Sequence, residues 1–211
     1  MAFLFMTDRA LLCGRELAVW RGERCLFERL EFQLGAQQLA LLVGANGSGK
    51  TTLLRIIAGL GLPTTGDVTW KGTAMTELAA EERAEIAYRG HHEALKRDMT
   101  VVENLAFHSA LWGREQKFGD VLEELKLGRV AHMRARYLSA GQRRRTALAM
   151  LKLQGAKVWL LDEPTTNLDT EGRAVLVEWT RRHVAEGGLA VIATHQPDEF
   201  ALPGALLIDL S

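Results

Sequence analysis

Residues 39–52 have the sequence LALLVGANGSGKTT, and this stretch decides the fold. The apolar run LALLV predicts a β-strand that is buried on both faces. GANGSGKT follows in the pattern G-x-x-x-x-G-K-[ST], and LLRIIAGL (53–60) then has the apolar spacing of a helix. A glycine-rich turn before an unrelated helix is the alternative. The flanking strand and helix favour a phosphate-binding loop instead.

This phosphate loop carries the groups that hold a nucleotide. Its glycines permit unusual backbone angles and leave room for phosphate, while backbone N–H groups converge at the start of a helix. Lys50 can neutralise the β and γ phosphates, and the Thr51 hydroxyl can hold Mg²⁺. The residues expected to bind nucleotide here are Gly44, Ala45, Asn46, Gly47, Ser48, Gly49, Lys50, Thr51 and Thr52.

The composition is that of a globular domain without net charge. The 211 residues are 47% hydrophobic and 25% charged, which suits one domain with a real core. Lys plus Arg and Asp plus Glu both number 26, and this balance argues against a nucleic-acid partner. The sequence offers no run that approaches the ~18 apolar residues of a membrane span. Cys13 and Cys25 are too few for a disulfide framework, and we expect buried thiols.

The remaining pattern predicts an α/β domain with a helical insertion. Strands are expected over the N-terminal part, in residues 11–43, and at the end, in residues 205–210. Residues 75–90 contain TELAAEERAEIAY, which favours a helix, and residues 100–154 are mainly helical in pattern. Two apolar strands, 157–162 and 189–194, flank a helix over roughly 170–186.

Two of these strands end in residues that suit phosphate chemistry. VWLLDEP (158–164) is a buried strand ending in Asp162, a candidate Mg²⁺ ligand, and Glu163, a candidate general base for water. His195 follows the strand at 189–194. It either caps and packs at the strand end or polarises the γ-phosphate, and both interpretations stay open.

Three further motifs indicate a family. LSAGQRRR (138–145), TNLD (166–169) and IATH (192–195) follow the phosphate loop in order. Together with WLLDEP, they resemble the motifs of ABC-type ATPases over essentially the whole chain. The resemblance implies a P-loop NTPase with a RecA-like core, an N-terminal antiparallel β subdomain and a helical subdomain. We expect one ABC nucleotide-binding domain, 1–211, with its core at about 1–85 and 155–211 and its helical subdomain at about 92–154.

The resemblance also implies a mechanism and a partner. Two copies face each other head to tail, and each ATP, with Mg²⁺, lies between the phosphate loop of one and the signature segment, 138–145, of the other. Glu163 and His195 are then catalytic, and Thr51 and Asp162 bind the metal. The signature residues that contact the partner's ATP are Ser139, Ala140, Gly141 and Gln142. In TNLD, called the D-loop here, Asn167 and Asp169 link the two sites.

Three positions depart from the common family pattern. His91 stands where the family has a glutamine that contacts Mg²⁺ and water, called the Q-loop position here. Ala140 replaces a signature glycine. Arg21 occupies the place of the aromatic residue that stacks on adenine, with Trp20 beside it. Since a guanidinium plane can also stack on a base, Trp20 and Arg21 both remain candidates.

A narrower resemblance accounts for these departures. RGERCLFERLEF (21–32), GHHEALKRDMTVVENLAF (90–107) and ATHQP (193–197) are similar to the ATP-binding subunits of cytochrome c maturation systems. This implies partners at the cytoplasmic face of the bacterial inner membrane, a CcmB-like permease and a CcmC-like haem-handling protein. ATP hydrolysis would then be coupled to haem export or to release of a haem-loaded chaperone.

Other functions remain as alternatives. The chain could serve another ABC transporter. It could also be a soluble ABC ATPase acting on nucleic acid or the ribosome, although such proteins usually have two nucleotide domains or a long coiled-coil arm. The chain could also be a P-loop kinase or another NTPase, but that function would not explain the LSAGQ motif. The run Arg143-Arg144-Arg145 could form a nucleic-acid patch, but its place in the signature segment and the zero net charge favour a solvated or phosphate-facing helix.

Overall fold

A computed structural model describes residues 10–90, 92–114 and 117–211 of the chain. The strands are β1 (Leu12–Arg21), β2 (Arg24–Leu34), β3 (Leu39–Val43), β4 (Thr65–Trp70), β5 (Thr73–Ala74), β6 (Ile86–Arg89), β7 (Val158–Asp162), β8 (Leu189–Ala193) and β9 (Leu206–Asp209). The helices are α1 (Lys50–Ile57), α2 (Ala80–Ala84), α3 (Val101–Leu111), α4 (Gly119–Glu124), α5 (Ala140–Gln154) and α6 (Thr170–Ala185). Short 3₁₀ turns occupy Gly128–Val130, Ala135–Tyr137 and Pro197–Phe200. Among these described helices, none has the length and apolar character to cross a membrane.

The strands form two sheets. The antiparallel sheet has the order β2-β1-β4-β5 and lies in the N-terminal part of the chain. Its β1–β2 hairpin closes where Arg21 pairs with Arg24, so both arginines project from one end of the sheet. The second sheet has the order β6-β7-β8-β3-β9, and all its pairings are parallel. The carboxyl ends of β3, β7 and β8 therefore meet at one edge, where ligands bind in such sheets.

Two apolar clusters cover opposite faces of the parallel sheet. Alternate residues of β3, such as Leu41 and Leu42, belong to different clusters. One cluster joins the sheet to α3, α5 and α6, and the other joins it to α1 and the antiparallel sheet. Because both faces are covered, β3, β7 and β8 are continuous apolar runs rather than alternating ones. This explains why these strands could be predicted from the sequence and confirms the α/β class.

The helix predicted over 75–90 is wrong for most of its length. Only Ala80–Ala84 is α-helical, and Ile86–Arg89 is strand β6, which pairs in parallel with β7. Ala87 is completely buried there, and the Val158 N–H donates to the Glu85 carbonyl. Burial and ladder hydrogen bonds outweigh the local helix propensity of this glutamate- and alanine-rich segment. The five-stranded sheet thus includes residues 86–89.

Asn104 of α3 organises the segment between residue 92 and that helix. Its buried side-chain amide donates to the carbonyls of Lys96, Met99 and Thr100, and its oxygen accepts the Lys96 N–H. Thr100 caps the helix in a reciprocal pair with Glu103. These bonds satisfy loop carbonyls that the apolar surroundings would otherwise leave unpaired. The chain that follows residue 91 is therefore anchored on α3.

Glu85 joins the two sheets at their boundary. Its carboxylate accepts hydrogen bonds from the Trp70 indole at 2.8 Å and from Lys71 at 2.6 Å, both in the antiparallel part of the chain. Lys157, just before β7, lies 2.5 Å from the other carboxylate oxygen. Burial raises the pKa of Glu85, but these three hydrogen bonds outweigh it and lower that pKa from 4.5 to about 2.

We predict that Glu85→Gln lowers the free energy of unfolding by about 1–2 kcal/mol at pH 7, because the neutral amide loses the charge-assisted bonds to both lysines. The native pKa is below the unfolded one, so the carboxylate stabilises the fold fully above pH 4.5. That stabilisation declines as pH falls toward 2. Urea unfolding of the wild type and Glu85→Gln at pH 7 and pH 3.5 measures the difference in their free energies of unfolding. If that difference is as large at pH 3.5 as at pH 7, the assignment is wrong.

Candidate functional site

A cavity of about 580 Å³ lies at the carboxyl edge of the parallel sheet, beneath the β1–β2 hairpin. It is open to solvent and is large enough for a nucleoside triphosphate. Its lining combines residues from the phosphate loop, the ends of β7 and β8, and the hairpin. These residues are Arg21, Arg24, Leu26, Asn46, Gly47, Gly49, Lys50, Thr51, Thr52, Asp162, Glu163 and His195.

The phosphate loop takes the shape that its glycines permit. Gly44, Gly47 and Gly49 have φ values of 140°, 78° and 110°, which side-chain-bearing residues rarely adopt. Gly49 is also the N-cap of α1 and makes no side-chain cap, and a Cβ there would lie 3.0 Å from the Phe27 ring. The first N–H groups of α1 thus face the cavity without intrahelical acceptors. This is an anion-binding arrangement.

The Lys50 side chain is held across the phosphate loop by two backbone carbonyls of that loop. Its side chain is buried, and the ammonium donates to the Gly44 carbonyl at 2.7 Å and to the Ala45 carbonyl at 3.1 Å. The charge is therefore fixed at the loop rather than free in solvent. A phosphate entering the loop would meet a positive group that has already lost much of its conformational freedom.

Thr51 and Asp162 place two oxygen ligands side by side. The Thr51 hydroxyl donates to the Asp162 carboxylate at 2.7 Å, although 111 positions separate the two residues in the chain. Asp162 is almost completely buried at the end of β7. One hydroxyl and one carboxylate fit Mg²⁺, which prefers oxygen ligands, is bound by few protein groups and keeps several waters. The pair could hold the ion beside the phosphates that Lys50 faces.

Glu163 and His195 approach each other on the same side of the cavity. Glu163 Oε1 lies 3.3 Å from His195 Nε2, and the histidine is half exposed. The Glu163 backbone has φ 46°, a left-handed conformation that is unusual for glutamate, and its N–H donates to the Ala193 carbonyl of β8. Non-glycine residues in such conformations cluster at active sites. The arrangement can orient a water and accept its proton.

The β1–β2 hairpin contributes two guanidinium groups. Arg21 donates to the Thr52 hydroxyl and Arg24 to the Gly47 carbonyl, each at 3.2 Å. Sequence reasoning missed Arg24, although its place opposite Arg21 in a tight hairpin was a usable signal. Trp20 is not among the residues that line this cavity. It lines a smaller neighbouring one of about 300 Å³, which Arg21 and Leu62 also border.

The signature residues lie apart from this cavity. Ser139 caps α5: its hydroxyl accepts the Gln142 N–H at 3.2 Å, and the Gln142 side chain accepts the Ser139 N–H at 2.9 Å. Ser139 and Ala140 are exposed. A Cβ on Gly141 would lie 3.2 Å from the Asn167 carbonyl, so this glycine lets the D-loop approach. The exposed start of α5 is a second surface suited to an anion.

The D-loop is tied to both neighbouring helices. Asn167 is exposed with φ 63°, and Asp169 caps α6 by accepting the Gly172 N–H at 2.9 Å. Both Asp169 oxygens lie 2.7 Å from Arg145 Nη2 of α5. Hydrogen bonding from Arg145 is the main reason that the pKa of Asp169 lies below its ordinary value. Arg145 thus links α5 to the D-loop.

The solvated or phosphate-facing interpretation of the arginine run is wrong for Arg144, whereas Arg143 and Arg145 are partly exposed. Arg144 is 5% exposed, and its hydrogen bonds to the residues that the structure describes all go to backbone carbonyls. Arg143 donates to the Leu138 carbonyl, and Arg145 donates to the Leu125 carbonyl as well as to Asp169. The sequence pattern of an amphipathic helix could not reveal acceptors that lie on distant segments. His91, the Q-loop position, lies outside the described residues.

The chain is similar to known ATP-binding proteins. The family model described as ABC transporter matches residues 27–166. The chain is 42% identical over 184 residues to the cytochrome c biogenesis ATP-binding export protein CcmA of Aliivibrio fischeri, covering 86% of this chain and 90% of that protein. It is 41% identical over 189 residues to the CcmA protein of Pseudomonas aeruginosa, with 88% and 93% covered.

Solved structures share the fold. A putative ABC transporter ATP-binding protein from Pyrococcus furiosus superposes with a TM-score of 0.78 at 23% identity, covering 94% of this chain and 96% of that one. The family match includes the phosphate loop and the signature segment, and each of the two bacterial relatives aligns with more than 85% of the chain. The chain therefore belongs to the ABC transporter family of ATPases and, within it, to the cytochrome c biogenesis ATP-binding export proteins.

Proposed function

We propose that this chain is the ATP-hydrolysing subunit of a membrane complex in cytochrome c maturation and that it works as a dimer with split ATP sites. One observation carries the second half of this proposal. Lys50, the Thr51–Asp162 pair and Glu163 line one cavity, whereas the exposed start of α5 lies outside it. Each chain thus supplies most of one site and the missing part of another.

ATP binding rests on the phosphate loop. The N–H groups at the start of α1 and the Lys50 ammonium hold the β and γ phosphates, and the residues that enclose them are Gly44, Ala45, Asn46, Gly47, Ser48, Gly49, Thr51 and Thr52. Thr51 and Asp162 would hold Mg²⁺, which would neutralise phosphate charge and polarise the γ-phosphate. The Arg21 guanidinium stacks on the adenine base, which its place on the cavity wall favours over Trp20.

Hydrolysis depends on the Glu163–His195 pair. Glu163 orients a water toward the γ-phosphate and takes its proton, since its carboxylate lies in the cavity beside the loop. His195 donates to the γ-phosphate oxygens and stabilises the charge that develops on them. The Glu163 carboxylate oxygen lies 3.3 Å from the His195 imidazole, so both side chains can face the same phosphate.

A second copy completes the site. Ser139, with Ala140, Gly141 and Gln142 around it, presents the positive end of the α5 dipole to the partner's γ-phosphate. The Ser139 hydroxyl accepts from Gln142 within the cap, and its own proton remains available for the phosphate. Asn167 and Asp169 lie between the two half-sites. ATP then holds the two chains together, and hydrolysis separates them.

The relatives support the pathway. CcmA proteins are cytochrome c biogenesis ATP-binding export proteins, and this chain is 40–42% identical to them. We therefore place it at the cytoplasmic face of the bacterial inner membrane, with a CcmB-like permease and a CcmC-like haem-handling protein. Hydrolysis there drives haem export or release of a haem-loaded chaperone.

The carboxylate assignment is tested by Glu163→Gln. We predict that turnover falls by about 100-fold or more, because the amide cannot accept a proton, while ATP still binds. ATP should then hold the variant as a dimer. Hydrolysis assays and size-exclusion chromatography with ATP measure both effects, and Glu28→Gln, on the exposed part of β2, serves as the matched control. Near-normal hydrolysis by Glu163→Gln would refute the role of this residue.

The pathway assignment is tested by its partners. We predict that the tagged chain, purified from detergent-solubilised bacterial membranes, brings with it a permease and a haem-handling membrane protein. Mass spectrometry of the co-purified subunits identifies them. The Lys50→Ala variant is a useful comparison, because loss of ATP binding should leave permease docking intact. Recovery of sugar or amino-acid permeases instead would contradict the haem assignment and favour another ABC transporter.

A further inference from the structure

We propose that Arg144 is a positioning residue that fixes the backbone of the catalytic Glu163. It would also couple Glu163 to α5, the helix that begins in the signature segment of the same chain. The inference rests on the proposed function, since it concerns how Glu163 is held for its role there. Arg144 does not line the ATP cavity and touches no reacting atom. It acts through the peptide groups on either side of Glu163.

The Arg144 guanidinium is surrounded by backbone carbonyls. Nε donates to Pro164 O at 3.1 Å, and Nη2 donates to Glu163 O at 2.9 Å and, more weakly, to Asp162 O at 3.4 Å. Nη1 donates to Gly90 O at 3.0 Å. One buried side chain thus binds three consecutive carbonyls at the end of β7 and one at the end of β6.

Only arginine suits this arrangement. Its planar group offers five N–H donors in a fixed fork, whereas a lysine ammonium is a compact charge with three donors at one point. Burial lowers the pKa of Arg144, and the negative charges of Glu93 and Asp162 act in the opposite direction. The cation is thus retained in the interior by carbonyl dipoles and nearby carboxylates, although no carboxylate is its hydrogen-bond partner among the contacts described here.

Arg144 binds the carbonyl of Glu163, a residue with a strained backbone. Glu163 has φ 46°, a conformation that a glutamate adopts only when its surroundings demand it. Its carbonyl also accepts the Thr166 N–H at 3.2 Å, and its N–H donates to Ala193 O at 3.0 Å. These bonds hold both flanking peptides, and the left-handed turn between them aims the Glu163 carboxylate into the cavity.

Arg144 also connects elements that serve different ATP molecules. It projects from α5, whose cap Ser139 serves the ATP of the partner, while Glu163 serves the ATP of its own chain. Its fourth acceptor, Gly90 O, immediately precedes the Q-loop position. A shift of α5 on contact with the partner's ATP would pull on the Glu163 peptide directly. We infer that this side chain makes hydrolysis at one site respond to closure of the other.

The test uses Arg144→Ala and the conservative Arg144→Lys in the purified full-length chain. We expect kcat to fall by about 10-fold or more in both, because Glu163 loses its alignment. The KM for ATP should stay within about twofold, since no phosphate-loop group contacts Arg144. Added guanidinium ion should restore part of kcat in Arg144→Ala by occupying the vacated carbonyl cluster, and it should not rescue Arg144→Lys. Arg181→Ala, which removes an exposed ion pair on α6, is the matched control and should behave like the wild type.

Two outcomes would overturn the inference. One is a kcat near that of the wild type in Arg144→Ala. The other is a parallel loss of kcat and ATP binding with a lowered melting temperature and no response to guanidinium, which indicates a structural role only. If Arg144→Ala fails to fold, the split between kcat and KM in Arg144→Lys decides. Full activity of Arg144→Ala beside an inactive Glu163→Gln refutes the positioning role alone. An active Glu163→Gln instead refutes the catalytic role of Glu163 in the proposed function, on which this inference rests.

Discussion

The hydrogen bond from the Thr51 hydroxyl to the Asp162 carboxylate joins the two segments around which the site is arranged. It requires β3 and β7 to end at the same edge of one parallel sheet, with β8 between them. That sheet can form only if both faces are covered, by α1 and the antiparallel sheet on one side and by α3, α5 and α6 on the other. The placement of the Thr51 hydroxyl beside the Asp162 carboxylate thus depends on the layers that cover the sheet.

The predictable parts of this protein are those whose cause is local. The phosphate loop could be predicted because glycine spacing, a buried strand and a helix are adjacent in sequence, and Asp162 could be predicted because an apolar strand ends there. The helix expected over 75–90 failed because pairing of β6 with β7, whose residues lie 72 positions further along the chain, overrides local propensity. Arg144 was misjudged for the same reason, since its acceptors lie at Gly90 and at the end of β7.

Two residues with a strained backbone lie between the ATP cavity and the signature segment. Glu163 and Asn167, both with positive φ, lie on either side of a short turn between β7 and α6. Arg144 holds the first of them, and Arg145 holds Asp169 just beyond the second. Two consecutive side chains of α5 therefore fix the segment that connects β7 to α6. The strained backbone at Glu163 persists because several hydrogen bonds hold the peptides around it.

The central claim is that one chain holds two half-sites and that a second copy completes them. Mixing two inactive variants tests it most directly: Lys50→Ala, which disables the phosphate loop, and Ser139→Asp. The aspartate keeps the α5 cap but repels the partner's phosphate, and Ser139→Asn is its neutral control. We predict that the mixture regains up to about a quarter of the wild-type rate, since half the dimers are mixed and each has one intact site. A mixture that forms mixed dimers yet stays as inactive as its components would contradict it.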